Sequence, residues 1–168
     1  MPGNAPTQSL TRREELRQYL ATPLSERSDP LKRVFDSEAK GNVAIATQTL
    51  MPNDIVCEYR GTFMSTAEAD RREFIHKANE YPAGTYVITK KQSLDPYLAD
   101  GREITPADNK GVWLNHKSKF PNCKVVACRA SDQSIIGLVV VAIKPVSIGD
   151  ELFQDYSDRK SPDAFLRE

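Results

Sequence analysis

Seven short apolar runs, each closed by turn-forming residues, set the limits on how this chain can fold: LKRVF (31–35), VAIAT (43–47), DIVCEY (54–59), TYVIT (85–89), CKVVACR (123–129), IIGLVVVAI (135–143) and ELFQDY (151–156). Their length and β-branched content are those of strands, so the fold class is mainly β. Only two segments read as helices. Thr11 with Glu14 three positions later is a capping box, and Leu16, Tyr19 and Leu20 follow at helical spacing, which predicts a short N-terminal helix over about 11–21. Ser65 with Glu68 opens the second, inserted between strands and bearing Ala67, Phe74, Ile75 and Ala78. Pro82, Gly84, Pro96, Gly101, Pro106 and Gly111 mark a long irregular middle with little secondary structure, a type of segment that in compact domains is functional or disordered; the functional reading is taken here.

Size and charge narrow the classes further. At 168 residues the chain is about one domain and buries enough surface for a core without disulfides or structural metal. Lys plus Arg is 23 and Asp plus Glu is 23, so no global basic footprint draws it to nucleic acid. Cys57, Cys123 and Cys128 are too few for a disulfide framework or a closed zinc site; they read as buried thiols in a reducing compartment. The N-terminus shows no secretory signal, residues 1–8 read as a disordered leader, and the run from Ile135 to Ile143 is far short of a membrane span. A soluble intracellular domain, or a fragment of a larger protein, is expected.

No P-loop, G-x-G-x-x-G, G-x-S-x-G or H-E-x-x-H motif occurs. His76, in the polar RREFIHKANE stretch, reads as a solvated surface residue, and His116, beside Asn115, as a structural hydrogen-bonding residue rather than a base. One internal echo stands out. ATQTLMPNDIVCEY (46–59) and AIKPVSIGDELFQDY (142–156) each run strand, turn, strand, acidic residue, tyrosine, which would deliver Tyr59 and Tyr156 to strand ends; two ordinary β turns with coincidental endings remain the alternative.

In order, AKGNVAIAT (39–47), NDIVCEYRG (53–61), AGTYVIT (83–89), WLNHKSKFPNC (113–123) and GDELFQDYSDR (149–159) resemble the successive motifs of SET-domain protein lysine methyltransferases. The resemblance runs from about residue 31 to the end and is strongest to the histone H4 lysine monomethyltransferase branch. It divides the chain into residues 1–30, leader and N-terminal helix, and 31–168, a SET catalytic domain with a short C-terminal segment. It implies a SET fold of small curved β-sheets in which the C-terminal segment passes under a preceding loop as a pseudoknot.

The resemblance also implies an S-adenosylmethionine site, with S-adenosylhomocysteine as product. Lys40, Gly41 and Asn42 match the turn that wraps the cofactor, Tyr86 a tyrosine beside it, Asn115 and His116 the Asn-His pair that holds it, and Phe165 an aromatic over the adenine. Tyr156 matches the catalytic tyrosine and Tyr59 a second tyrosine of the lysine channel, which Tyr86 and Gln154 would also line. No metal is implied. Four positions depart from the family pattern. Val43 replaces a second glycine, so the turn must avoid positive φ there or be strained. Val112 replaces an arginine, Lys117 a serine, and Gln154 the Phe/Tyr position that limits product, where a polar side chain able to hold water favours mono- or dimethylation.

The partner implied is a basic protein tail, a histone in a nucleosome above all, reached through a groove fed by Asp95, Asp100 and Glu103. Weak or no nucleic-acid binding by the core, no membrane, a monomer, and a nuclear location with a cytoplasmic one as alternative complete the expectation. Any grip on DNA falls to Arg12, Arg13 and Arg17 or to a region absent from this chain. A degenerate module that binds without catalysis and a methyltransferase of a non-histone protein stay open as rivals.

Overall fold

A computed structural model of the chain describes residues 10–39, 41–81 and 84–155. The expected leader at 1–8 lies outside them. Helix α1 (Arg12–Ala21) begins where Thr11 accepts the Glu14 N–H at 3.2 Å, so the capping signature marks a real helix start. Strands β1 (Leu31–Ser37) and β2 (Gly41–Ala46) pair antiparallel from Leu31↔Ala46 to Ser37↔Gly41, with Gly41 in the left-handed region at φ +69°. There follow β3 (Ile55–Tyr59), β4 (Thr62–Ser65), α2 (Thr66–Ala78), β5 (Tyr86–Val87), β6 (Gln92–Asp95), β7 (Leu98–Ala99), β8 (Arg102–Glu103), β9 (Asn115–His116), β10 (Cys123–Arg129), β11 (Ile135–Ala142) and β12 (Phe153–Gln154).

The central sheet, ordered β10-β11-β3, explains the longest apolar run. One of its faces turns Val125, Ala127, Leu138 and Val140 into the main core with Cys57 and Tyr59. The other face turns Val126, Cys128, Val139 and Val141 toward Leu16 of α1. A strand covered on both sides has no polar face to show, so β11 reads as continuous rather than alternating. Each buried Val or Leu contributes about 1.5–3 kcal/mol, which makes this sheet the main store of stability. Gly137 lets α1 come close, because a β-carbon there would stand 2.6 Å from Leu20 Cδ1.

The middle of the chain departs from its expected irregularity. Strands β5 and β4 flank β6 in a second sheet, β7 and β8 form a third, and 3-10 turns span Pro106–Asp108 and Lys110–Val112. Two-residue ladders carry no periodic signal, and side chains complete them: Tyr97 N–H donates to Asp95 Oδ1 at 2.9 Å and Thr62 Oγ1 to the Leu98 carbonyl at 2.6 Å.

Helix α2 forms where expected, with Ser65 capping the Glu68 N–H, but it buries the opposite face. Phe74 is 78% exposed and Ile75 44%, whereas Ala69 and His76 are buried. His76 is therefore not a solvated surface residue. Its Nε2 lies 2.9 Å from Asp95 Oδ1 and its ring meets Tyr97 edge-on with centroids 4.6 Å apart. Arg72, one turn earlier, pairs with Asp95 as well, so a buried carboxylate on β6 draws the polar face of the helix inward.

The three thiols are buried and free. Burial pushes Cys123 up to about 12 and raises Cys57 and Cys128, which keeps them protonated and unreactive. Among the described residues, no helix is long and apolar enough to cross a membrane.

The fold is thus mainly β, with small sheets, one N-terminal helix and one inserted helix. Its last described strand, β12, pairs in parallel with β9 (Phe153↔Asn115, Gln154↔His116), laying residues 153–154 beside a much earlier segment. The implied passage beneath a loop concerns residues past Asp155, outside the described ones.

Candidate active site

Tyr59 ends β3, where register opposite Leu138 aims it into the core, and it is almost wholly buried. Its ring meets Tyr86 of β5 in a T-shaped contact, centroids 5.3 Å apart and planes at 67°. The edge of one ring thereby faces the π cloud of the other, a geometry that fixes both orientations. Tyr86 is buried too, held against Leu94 by the β5–β6 pairing.

Gly111 closes this corner. A β-carbon on it would stand 2.7 Å from Tyr59 Cδ2 and 2.8 Å from Tyr59 Cα, so only glycine allows the 3-10 turn to pass so near. The Gly111 carbonyl accepts the Gln154 Nε2–H at 3.1 Å, and Gln154 is itself buried. Gly111, taken from sequence only as a loop marker, thus stands between Tyr59 and Gln154, while Tyr86 joins the corner through its contact with Tyr59.

Asn109 fixes the turn and was also missed. Fully buried, it accepts the Arg60 and Gly111 N–H groups at 3.1 and 3.3 Å through Oδ1 and donates from Nδ2 to the Arg60 and Pro96 carbonyls at 2.9 and 2.8 Å. The chain just after Tyr59 and the turn above it are thus joined by one amide that satisfies the backbone of both. A buried Asn of this kind has the same local sequence as a solvated turn Asn.

Asn115 and His116 lie alongside β12. Asn115 is half-buried and donates from Nδ2 to Glu151 Oε2 at 3.2 Å; His116 is exposed, its Nδ1 3.7 Å from Asp155 Oδ1. Strand β2 meets the same segment from the other side, with Leu152 N–H donating to the Ala44 carbonyl at 2.8 Å and Ile45 bridged antiparallel to Glu151. That direction carries the Gly41 end of β2, with exposed Asn42, toward the end of β12. Among the described residues, leaving out its chain neighbours, no atom lies within 4 Å of a β-carbon built on Gly41, so they leave space open beside the turn.

The departures find places without strain. Val43 lies in regular β pairing with Val34 rather than at positive φ. Val112 is buried in the 3-10 turn, and Lys117 carries its ammonium 5.0 Å over the Phe153 ring. Of the expected acidic groove, Asp95 must be withdrawn, because it is fully buried between Arg72 and His76; Asp100 and Glu103 are exposed. Lys40, Tyr156 and Phe165 lie outside the described residues.

Comparison with known proteins gives a match to the SET domain family over residues 41–157. Among similar proteins is the N-lysine methyltransferase KMT5A-A of Danio rerio, 29% identical over 148 residues, which is 86% of this chain and 40% of that protein. The N-lysine methyltransferase KMT5A of Xenopus tropicalis is 30% identical over 121 residues, 72% of this chain and 34% of its own length. The histone-lysine N-methyltransferase Set8 of Drosophila pseudoobscura pseudoobscura is 31% identical over 155 residues, 91% of this chain and 21% of the fly protein. The chain therefore spans less than half the length of these relatives.

Proposed function

The chain belongs to the SET-domain family, and from that premise we propose that it is an S-adenosylmethionine-dependent protein lysine N-methyltransferase acting on a basic tail, the histone H4 tail of a nucleosome above all. The observation that carries this reading is the buried corner in which the Tyr59 and Tyr86 rings stand edge to face, with Gly111 packed on Tyr59 and its carbonyl holding the buried Gln154 amide. Support also comes from relatives named as lysine methyltransferases across most of the chain.

The chemistry suits such a corner. A free lysine amine has a pKa of about 10.4 and is protonated at neutral pH, but methyl transfer needs its lone pair. Buried aromatic walls strip water from the ammonium and so favour the neutral amine. Tyr59, with Tyr156, would direct the lone pair, so the work of these residues is positioning and electrostatics rather than proton transfer by a histidine. When bound, the cofactor would supply an electrophilic methyl on a sulfonium: the amine lone pair would form the N–C bond as the S–C bond breaks, its electron pair staying on sulfur in the leaving group S-adenosylhomocysteine.

The residues present fit that group. Among the described residues Gly41 has open space beside it, and Asn42 and Asn115 offer neutral polar side chains toward β12. Lys40, Gly41, Asn42, Tyr86, Asn115, His116 and Phe165 would hold it. Gln154 commits one N–H to Gly111 and has a second N–H and a carbonyl oxygen with which to keep a water in the channel, which favours mono- or dimethyl-lysine. A monomer working in the nucleus completes the reading.

The test is incubation with tritiated S-adenosylmethionine and recombinant histones or nucleosomes. Label on histone H4 is expected, with Tyr156→Phe lowering kcat by about a hundredfold or more, the scale of a lost oriented donor. Label on no substrate, with cofactor binding intact by calorimetry, would point instead to a module that binds without catalysis.

A further inference from the structure

The family match begins at residue 41, yet the turn above Tyr59 is braced by residues well before it. Asp29 is almost buried, its side chain 6% exposed. Its Oδ1 accepts the Tyr19 hydroxyl of α1 at 2.8 Å and its Oδ2 lies 3.2 Å from Lys110 Nζ. Lys110 is the first residue of the 3-10 turn whose next residue, Gly111, touches Tyr59 and holds Gln154.

Arg27 makes a parallel tie. Its guanidinium donates to Glu58 Oε1 at 2.6 Å and to the Thr22 and Leu20 carbonyls at 2.9 and 3.1 Å, with Glu58 adjacent to Tyr59 on β3. The cleft of about 190 Å³ between these groups holds Arg27, Arg60 and Lys110 facing Asp29, Glu58 and Asp108. Its charges balance and each nitrogen of its buried Arg27 guanidinium already donates to an acceptor, so the cluster acts as a strut rather than as an ion site. Burial and the bond to Asp29 push the Tyr19 phenol up, keeping it a donor to the carboxylate.

We propose that Asp29, held by Tyr19, is a positioning residue for the Tyr59–Gln154 corner, acting through Lys110 on the turn that carries Gly111. The residues from Tyr19 to Asp29 then belong to the working site through the turn they brace. The kinetic part of this inference rests on the methyltransferase reading; the structural part does not.

The experiment therefore has two arms, using the whole chain with Asp29→Asn, Lys110→Met and Lys110→Arg. Asp29→Asn keeps shape and the Tyr19 contact but loses the ion pair, and Lys110, 39% exposed, can be changed without opening the core. In the first arm, the Gln154 side-chain amide is followed in ¹H–¹⁵N spectra and assigned by its disappearance in Gln154→Glu. It is expected to shift in Asp29→Asn and Lys110→Met and to return in Lys110→Arg. In the second, kcat for histone methylation falls about tenfold in the first two variants while the cofactor KM stays within about twofold, since a displaced channel loses alignment rather than ground-state binding. An amide resonance unmoved in a folded Asp29→Asn or Lys110→Met variant overturns the proposal. Were the wild-type chain to transfer no methyl group, the methyltransferase reading would fail and the amide arm would still decide this one.

Discussion

A methyl group on Gly111 would be forced into Tyr59, 2.7 Å from one ring carbon and 2.8 Å from Cα, and the backbone there cannot yield because Asn109 ties both segments together. Gly111→Ala is therefore expected to destabilise the chain by about 1–3 kcal/mol, read as a lower urea midpoint at unchanged slope. An unchanged midpoint would mean that the turn is looser than its contacts imply. At this scale part of the corner was readable from residue type: the Tyr59 and Tyr86 rings meet edge to face and Gln154 is buried against the Gly111 carbonyl, while the channel proposed for all three rests on the family resemblance. Asn109 and Gly111 were not readable. Their importance comes from what stands opposite them after folding, and nothing in DNKG (108–111) distinguishes a buried joint from an exposed turn.

Helix α2 shows the same limit one level up. Its start was legible because capping is local: Ser65 and Glu68 are three residues apart in sequence and in space. Its buried face was not, because Asp95 lies on another element and reverses the side on which apolar residues would ordinarily sit. The linkage to pH follows from Asp95. Burial alone would raise its pKa, but hydrogen bonds from His76, Arg72 and the Tyr97 N–H outweigh this and leave it lowered. A carboxyl whose folded pKa is below its unfolded value of about 3.9 adds stability above that value, and the contribution is lost as pH falls toward and through the folded one. In Asp95→Asn, stability at pH 7 is expected to drop by about 2–4 kcal/mol, with a shallower decline below about pH 4 than in the wild type. Denaturant titrations across that range check it; parallel curves for the two proteins would dissociate Asp95 from the acid limb.

Across the whole molecule, the even balance of 23 cationic and 23 acidic residues leaves no net basic charge, and the structure adds where some of the local charges go. Arg17 donates to the Arg129 carbonyl and Arg13 to Gln133, so these basic residues of α1 also serve to seat the helix, while Arg12 pairs within it with Glu15. The mainly β class was legible because strand composition survives without knowledge of partners. The parallel pairing of β12 with β9 was not, since it joins segments 38 positions apart (153 against 115) with two residue pairs and leaves no periodic trace. Family resemblance implied only that the C-terminal segment passes under a preceding loop and named no such pairing. The central claim remains lysine methylation at a channel walled by Tyr59, Tyr86 and Gln154, and intact-mass spectra of nucleosomal histones after incubation with S-adenosylmethionine test it most directly. The expected result is one- and two-methyl increments on histone H4 with the wild-type chain and a shift toward more methyl groups with Gln154→Phe; histone masses unchanged with both proteins would contradict it.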